Sequence, residues 1–525
     1  MRRIAFALSL AVTLAATAAP AAAAEVPPGD YSALRWRLLG PFRAGWALIA
    51  AGIPGDATTF YFGAADGGVW KTNDAGVSWK PLFNDQGSAS IGALAIAPSN
   101  PRVIWVGTGQ VHQRWDIVEG DGVYRSTDGG ATWKHVGLRD TRHIGAIWVD
   151  PKNPDVAVVA ALGHIFGPNK DRGLFRTTDG GRTWAKVLDR GENVGAVDIA
   201  SDPAAPGVLY ASTWEVRRHP WLDYFQPPAG PGSGVWKSVD NGRTWKPAGN
   251  GLPKSPYGRI DLGVAPGTNG RRVYAGVDSE DEPGVYRTDD GGASWTRVNP
   301  DGELAGSYMN CIVADPKNPN IVWSAGRGLR RSTDGGKTFT VLKGAPGGDD
   351  YHYLYIDPKQ PLRMMVAADQ GAVITHNGGE TWSSWYNQPT GQFYRLADDN
   401  QIPYRVYSGQ QDSGTVSIAT RSDYGQLTFR DWYPTGGDER DGDVPDPENP
   451  DIVYGAGLGG RLSRWNKATA QVQNVSPWPI STYGQRFRPG QPRYSWITPL
   501  AISKRSPHAL YQATQVVYRS TDDGH

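Results

Sequence analysis

The chain has 525 residues, a formal net charge of +1 and a pI near 7.8, a balance that excludes the basic face expected of a nucleic-acid-binding protein. Glycine (67) and proline (40) are abundant, but 21 tryptophans and a periodic pattern exclude a disordered chain and point to turn-rich β structure. The single cysteine, Cys311, excludes an internal disulfide, and its setting among Ile312, Val313 and Ala314 reads as a buried strand.

In chain order, residues 1–24 have the pattern of a signal peptide. Arg2 and Arg3 precede an apolar run, and Ala22-Ala23-Ala24 offers a small-residue cleavage site before Glu25. No later stretch is long and apolar enough to span a bilayer as a helix. The expectation is a periplasmic or secreted protein with no membrane span after cleavage.

From about residue 36 onward the chain repeats itself. The stretch Ser126-Thr127-Asp128-Gly129-Gly130-Ala131-Thr132-Trp133 has the form S-x-D-x-G-x-T-W, and near copies occur at 72–79, 177–184, 238–245, 288–295, 332–339 and 375–382. Their acidic positions, Asn377 standing for Asp in the last, are 43 to 61 residues apart, a spacing expected of propeller blades. The carboxylate of Asp128 can accept from backbone N–H groups of the turn after it. Gly130 permits a tight turn, and Trp133 should wedge between neighbouring sheets. A second pattern, an apolar strand, a D-P-x-x-P-like turn and another apolar strand, accompanies the boxes, as at Ile147 to Ala161 and again at 96–106, 199–210, 313–323, 356–365 and 444–454. One repeat therefore reads as strands A, B, C and D of an antiparallel blade.

Seven such repeats predict a seven-bladed all-β propeller over residues 25–388. Residues 389–525 read as the first blades of a second propeller, truncated inside an eighth box at 520–525; a single ten-bladed ring is the alternative. Insertions fall between strands B and C, on the face opposite the boxes. There Trp115, Trp214, Trp221 and Tyr224 lie beside carboxylates and suit a platform for a polysaccharide or protein ligand. A monomer is expected.

With both motifs in place, the chain resembles bacterial glycosyl-hydrolase-like proteins of the sortilin and Asp-box repeat group. Within that group the pattern is similar to the xyloglucan-active endoglucanases, whose two seven-bladed propellers face each other across a cleft. The resemblance covers about residues 36 to 525. In those enzymes a catalytic Asp lies in a D-x-G-G turn before strand C of the first blade, and a second lies in the matching turn of the second propeller. Ala65-Asp66-Gly67-Gly68 fits the first turn, and Gln411-Asp412-Ser413-Gly414 roughly fits the second. The resemblance thus implies Asp66 as general base and Asp412 as general acid of an inverting hydrolase, with carboxyls about 6.5–9.5 Å apart. The alternative is a non-catalytic, sortilin-type propeller that binds peptide or protein.

Asp369, in Ala368-Asp369-Gln370-Gly371, occupies the same turn of the seventh repeat and has no role assigned by the resemblance. No cofactor motif or zinc-ligand spacing is readable. The acidic run from Asp438 to Glu448 lacks the glycine and terminal glutamate of a calcium loop and reads as a solvated turn, with a loose calcium site as the alternative.

Overall fold

The strands of this chain are apolar on both faces where they lie near a common axis and polar where they lie outside. Phe60–Ala64 and Ala157–Ala161 are buried at every position, whereas Lys80–Pro81 is largely exposed. A strand buried on both faces must be sandwiched between two other sheets. The computed structural model describes residues 27–525 apart from 113–116, 218–228, 255, 307, 346, 441 and 482–487, and it arranges them in ten antiparallel sheets. Eight sheets have four strands and two, the seventh and the tenth, have three; within each sheet the strands follow chain order. Residues 1–39 form a separate unit whose described part carries one turn of 3-10 helix, Pro28–Tyr31, and residues 40–525 form the other. Among the described residues no helix is long and apolar enough to cross a membrane.

Among the first seven sheets, each successive pair shares its own apolar cluster. Between the second and third sheets, Trp105 and Val123 meet Ile144 and Val159. The cluster that joins the seventh sheet to the first unites Met365, Ala367 and Ile374 with Phe60, Phe62 and Trp70. The first seven sheets therefore pack in a cycle around an axial channel of about 420 Å³. Their innermost strands line it in turn, through Leu48, Gly92, Gly145, Asp198, Asp261, Ile312 and Leu354. The eighth to tenth sheets follow and pack on one another in order.

The boxes fold as the sequence predicts. The Ser126 hydroxyl donates to Asp128 (2.8 Å) and accepts from Gly130 N (2.9 Å). Asp128 accepts from Thr132 N (2.9 Å) and the Thr132 hydroxyl (2.6 Å). The same set recurs at Asp74, Asp179, Asp240, Asp290 and Asp334, and Asn377 keeps the fold of the turn. These bonds hold the exposed carboxylates of Asp74 and Asp128 down at about 2. At several boxes the tryptophan reaches across to the preceding sheet: Trp133 Nε1 donates to Leu82 O (2.8 Å) and Trp184 Nε1 to Val136 O (2.7 Å), whereas Trp245 and Trp382 donate within their own turns.

Close approach of neighbouring inner strands depends on glycine. A Cβ on Gly92 would lie 2.1 Å from Gly109 O and 2.3 Å from Ile144 O, inside the backbone of its neighbours. Cys311 is buried in strand Cys311–Ala314, where burial pushes its thiol well above the ordinary range.

Candidate functional site

Asp66 sits in the B–C turn of the first sheet, between strands Phe60–Ala64 and Val69–Thr72. Trp70 Nε1 donates to Gly67 O (2.8 Å) and fixes the turn from below. Asp66 stays exposed, and desolvation by the surrounding turn raises its pKa. The residue before it, Ala65, donates its N–H to Trp46 O (3.0 Å).

Asp412 occupies the same turn of the eighth sheet, between Arg405–Gln410 and Gly414–Ala419, with a left-handed backbone at φ 56°. Gln411 Nε2 donates to its carboxylate (2.7 Å). The segment before the first sheet reaches this turn. Buried Arg43 donates from Nε to Gln410 Oε1 (2.8 Å) and from its Nη atoms to Gly414 O (2.9 Å) and Thr415 O (3.3 Å). The Gln410 amide in turn donates to Ala44 O. A continuous set of bonds thus runs from the Asp412 turn through residues 43–46 to the residue adjoining Asp66. Burial lowers the Arg43 pKa to about 10, still cationic at neutral pH.

Asp412, Ser413 and Arg43 form one wall of a polar cleft of about 350 Å³, to which Trp385, Tyr386 and Trp432 contribute rings. Tyr386 is 65% exposed, so its ring is available to a ligand. A cleft with carboxylate, guanidinium and aromatic faces can bind a hydroxylated ring by stacking and hydrogen bonding and can move a proton at Asp412.

The expected platform fares differently. Trp115, Trp221 and Tyr224 lie outside the described residues. Trp214 is only 1% exposed and packs among Val111, Ile117, Leu162, Ile165 and Val216, so its ring supports the B–C loops from within and offers no stacking face to solvent. Asp369 acquires a role of its own: it accepts from His352 Nε2 (2.5 Å) and the Tyr308 hydroxyl (3.0 Å), all beneath Trp46.

Residues 124–135 match the BNR/Asp-box repeat family. The chain is 26% identical over 357 residues to a xyloglucanase of Paenibacillus sp, an alignment covering 60% of this chain and 29% of that protein. It is 27% identical over 344 residues to a probable oligoxyloglucan-reducing end-specific xyloglucanase of Neosartorya fischeri, covering 54% of this chain and 41% of that one. Among solved structures, an ancestral GH74 enzyme superposes with a TM-score of 0.57 at 16% identity, covering 93% of this chain and 76% of that chain. The GH74 enzyme of Niastella koreensis gives 0.52 at 15% identity, with 93% and 79% covered.

By sequence, this chain is similar to xyloglucanases over more than half of its length. The structural likenesses carry the propeller fold. The chain spans less than half the length of the curated relatives it matches.

The acidic run after the eighth sheet departs from its reading as a solvated turn. Asp443 is 1% exposed and accepts from the Thr435 hydroxyl; burial pushes its carboxyl up to about 7. Asp438 is held by Arg461 and accepts from Leu458 N (3.0 Å). At Glu439 burial, followed by the charge of Asp412, pushes the carboxyl up to about 7 as well. No spacing rule singles out Glu439. The available signal was its place beside Arg440 in an acidic segment, since an interleaved arginine often marks charges turned inward.

Proposed function

We propose that this protein is a glycoside hydrolase of the xyloglucanase type, exported, and acting on a β-glucan-type polysaccharide on the B–C face. Residues 25–388 form its seven-bladed propeller and residues 389–525 contribute blades of a second. Asp66 is the general base and Asp412 the general acid. The observation that carries this reading is the bonded path through residues 43–46 that links the two Asp-bearing turns, with Asp412 lining a cleft that has aromatic walls.

The roles follow from the environments. An inverting hydrolysis needs one carboxyl that holds a proton for the leaving oxygen and another that accepts a proton from water. Asp412 lies in the wall of the polar cleft, where a sugar ring stacked on the aromatic side chains would meet it. Asp66 has solvent on its open side, where the attacking water can be supplied. Trp385, Tyr386 and Trp432 supply ring faces for sugar stacking.

The test is reducing-sugar release from a polysaccharide panel that includes xyloglucan. Asp66→Asn and Asp412→Asn should each lower kcat by 100-fold or more, within the range for loss of a general acid or base, with unchanged thermal unfolding. Binding of xyloglucan without any release would replace this reading with a glycan-binding propeller.

A further inference from the structure

The axial channel of the seven-sheet cycle has a polar end and an apolar end. Arg259 and His352 line it near the start of their inner strands, Tyr257–Val264 and Tyr351–Ile356. His112 lines it from the B–C loop that follows strand Ile104–Thr108 of the second sheet. The polar end is therefore the one nearer the B–C loops. Asp198 and Asp261 lie deeper, and Val264 and Ile356, which close their strands, line the far end.

Most polar groups of the channel are engaged. Arg259 Nη2 donates to Asp261 Oδ1 (3.1 Å) and to Asn310 O (3.2 Å). Asp198 accepts from Ile199 N (2.8 Å) on one oxygen and from Leu262 N (2.7 Å) on the other. His352 is held by Asp369. His112 and Asp261 differ. Both ring nitrogens of His112, and Oδ2 of Asp261, are buried with no hydrogen-bond partner among the described residues. His112 is 4% exposed and Asp261 8%. The His352 and Trp46 rings pack edge-on against the His112 imidazole, with centroids 4.8 and 6.5 Å away, and fix it in the wall. Buried polar groups of folded proteins are paired almost without exception, so these atoms call for a partner inside the channel.

Their chemistry selects that partner. Burial, and after it the Arg259 charge, keeps His112 neutral, so its ring offers one donor and one acceptor. Arg259 disfavours a cation beside it, and Asp198 and Asp261 disfavour an anion. The group that both donates and accepts and brings no charge is a hydroxyl. The apolar remainder of the wall suits the C–H face of a carbon skeleton, which water lacks. The channel volume of about 420 Å³ lies within the range of small-molecule pockets.

We propose that the axial channel is a binding site for a small neutral polyol, held at its polar end by His112 and Asp261. The proposal does not rest on the hydrolase reading, because the channel and the Asp412 cleft share no lining residue.

The probes are glycerol and myo-inositol, neither of them a fragment of a β-glucan, with ammonium and acetate as charged comparators. The readout is the histidine ring signals in NMR of labelled wild-type protein, with His112→Gln to assign the signal. A polyol should shift His112 saturably, with a Kd of about 10 mM or below, as ligand efficiency allows for molecules this small. His508, in the tenth sheet between Leu500–Ile502 and Leu510–Ala513, should not move. His112→Phe keeps a ring and removes both nitrogens, and it should weaken binding about tenfold or more by calorimetry. No response at His112, a response that His508 or the charged probes match, or full affinity in folded His112→Phe protein would overturn the proposal. A crystal structure of the wild type grown with myo-inositol decides without any variant. The ring in the channel with a hydroxyl on His112 supports the site, and ordered water alone there overturns it.

Discussion

A carboxylate is useful or merely structural according to what surrounds it, and this chain supplies both kinds. The box aspartates are exposed and saturated with donors, so they stay ionised and act as clips. Asp128 accepts three hydrogen bonds within its own turn. Asp128→Ala should cost about 1 kcal/mol, the usual loss for a side-chain cap of this sort, seen as a lower urea midpoint with hydrolysis unchanged. Asp66, Asp369 and Asp412 share one turn position but differ in surroundings. Asp66 faces solvent, Asp369 is consumed by His352 and Tyr308, and Asp412 accepts from Gln411 in the wall of the polar cleft. The box clips were legible because their partners lie within four residues. The support of the Asp412 turn was not, because Arg43 is brought to it from the segment before the first sheet.

At the scale of elements, the unit is a sheet sandwiched between two others. The inner strands are therefore apolar on both faces and need small residues where backbones nearly touch. Gly92 stands where Gly109 O and Ile144 O would be 2.1 and 2.3 Å from a Cβ. Backbone cannot swing aside as a flexible side chain can, so Gly92→Ala should destabilise by about 1–3 kcal/mol or more, as overpacking does. Gly306→Ala, where the nearest atom would be 3.5 Å away, is the control and should leave the melting temperature nearly unchanged. The insertions between strands B and C were visible as interruptions of the repeat. The use of Trp214 as internal support was not, since the strand Leu209–Glu215 runs on through it, past the point where the repeat pattern places the insertion.

At the scale of the molecule, the cycle of seven sheets encloses ionisable groups on its axis. Asp261 lines the channel and is pushed up to about 7 by burial, with Asp198 adding to the rise and Arg259 opposing it. The folded protein binds that proton more tightly than the unfolded chain does. Its contribution to stability is therefore present below the ordinary aspartate range, near pH 4, and is lost as pH rises through about 7. Asp261→Asn, which stays neutral, should gain on the wild type as pH goes from 4 to 8. The difference between their melting temperatures isolates this group from His112 and His143, which burial keeps neutral and which act in the opposite sense. A difference that does not change with pH would show that Asp261 is already ionised in the folded state.

The sequence by itself determined the repeat, the all-β propeller architecture, the box chemistry and the relation to xyloglucan-active enzymes. All of these depend on residues a few positions apart, whose periodicity survives in the linear order. Only the tertiary structure decided what surrounds each acidic turn. It closed the seventh sheet on the first, tied Arg43 to a turn 371 residues away at Gly414, and buried Asp443 beside Thr435. Those contacts arise where separate sheets meet. There, burial and the Coulomb field of distant residues set the protonation of a carboxyl, and neither quantity is carried by local spacing.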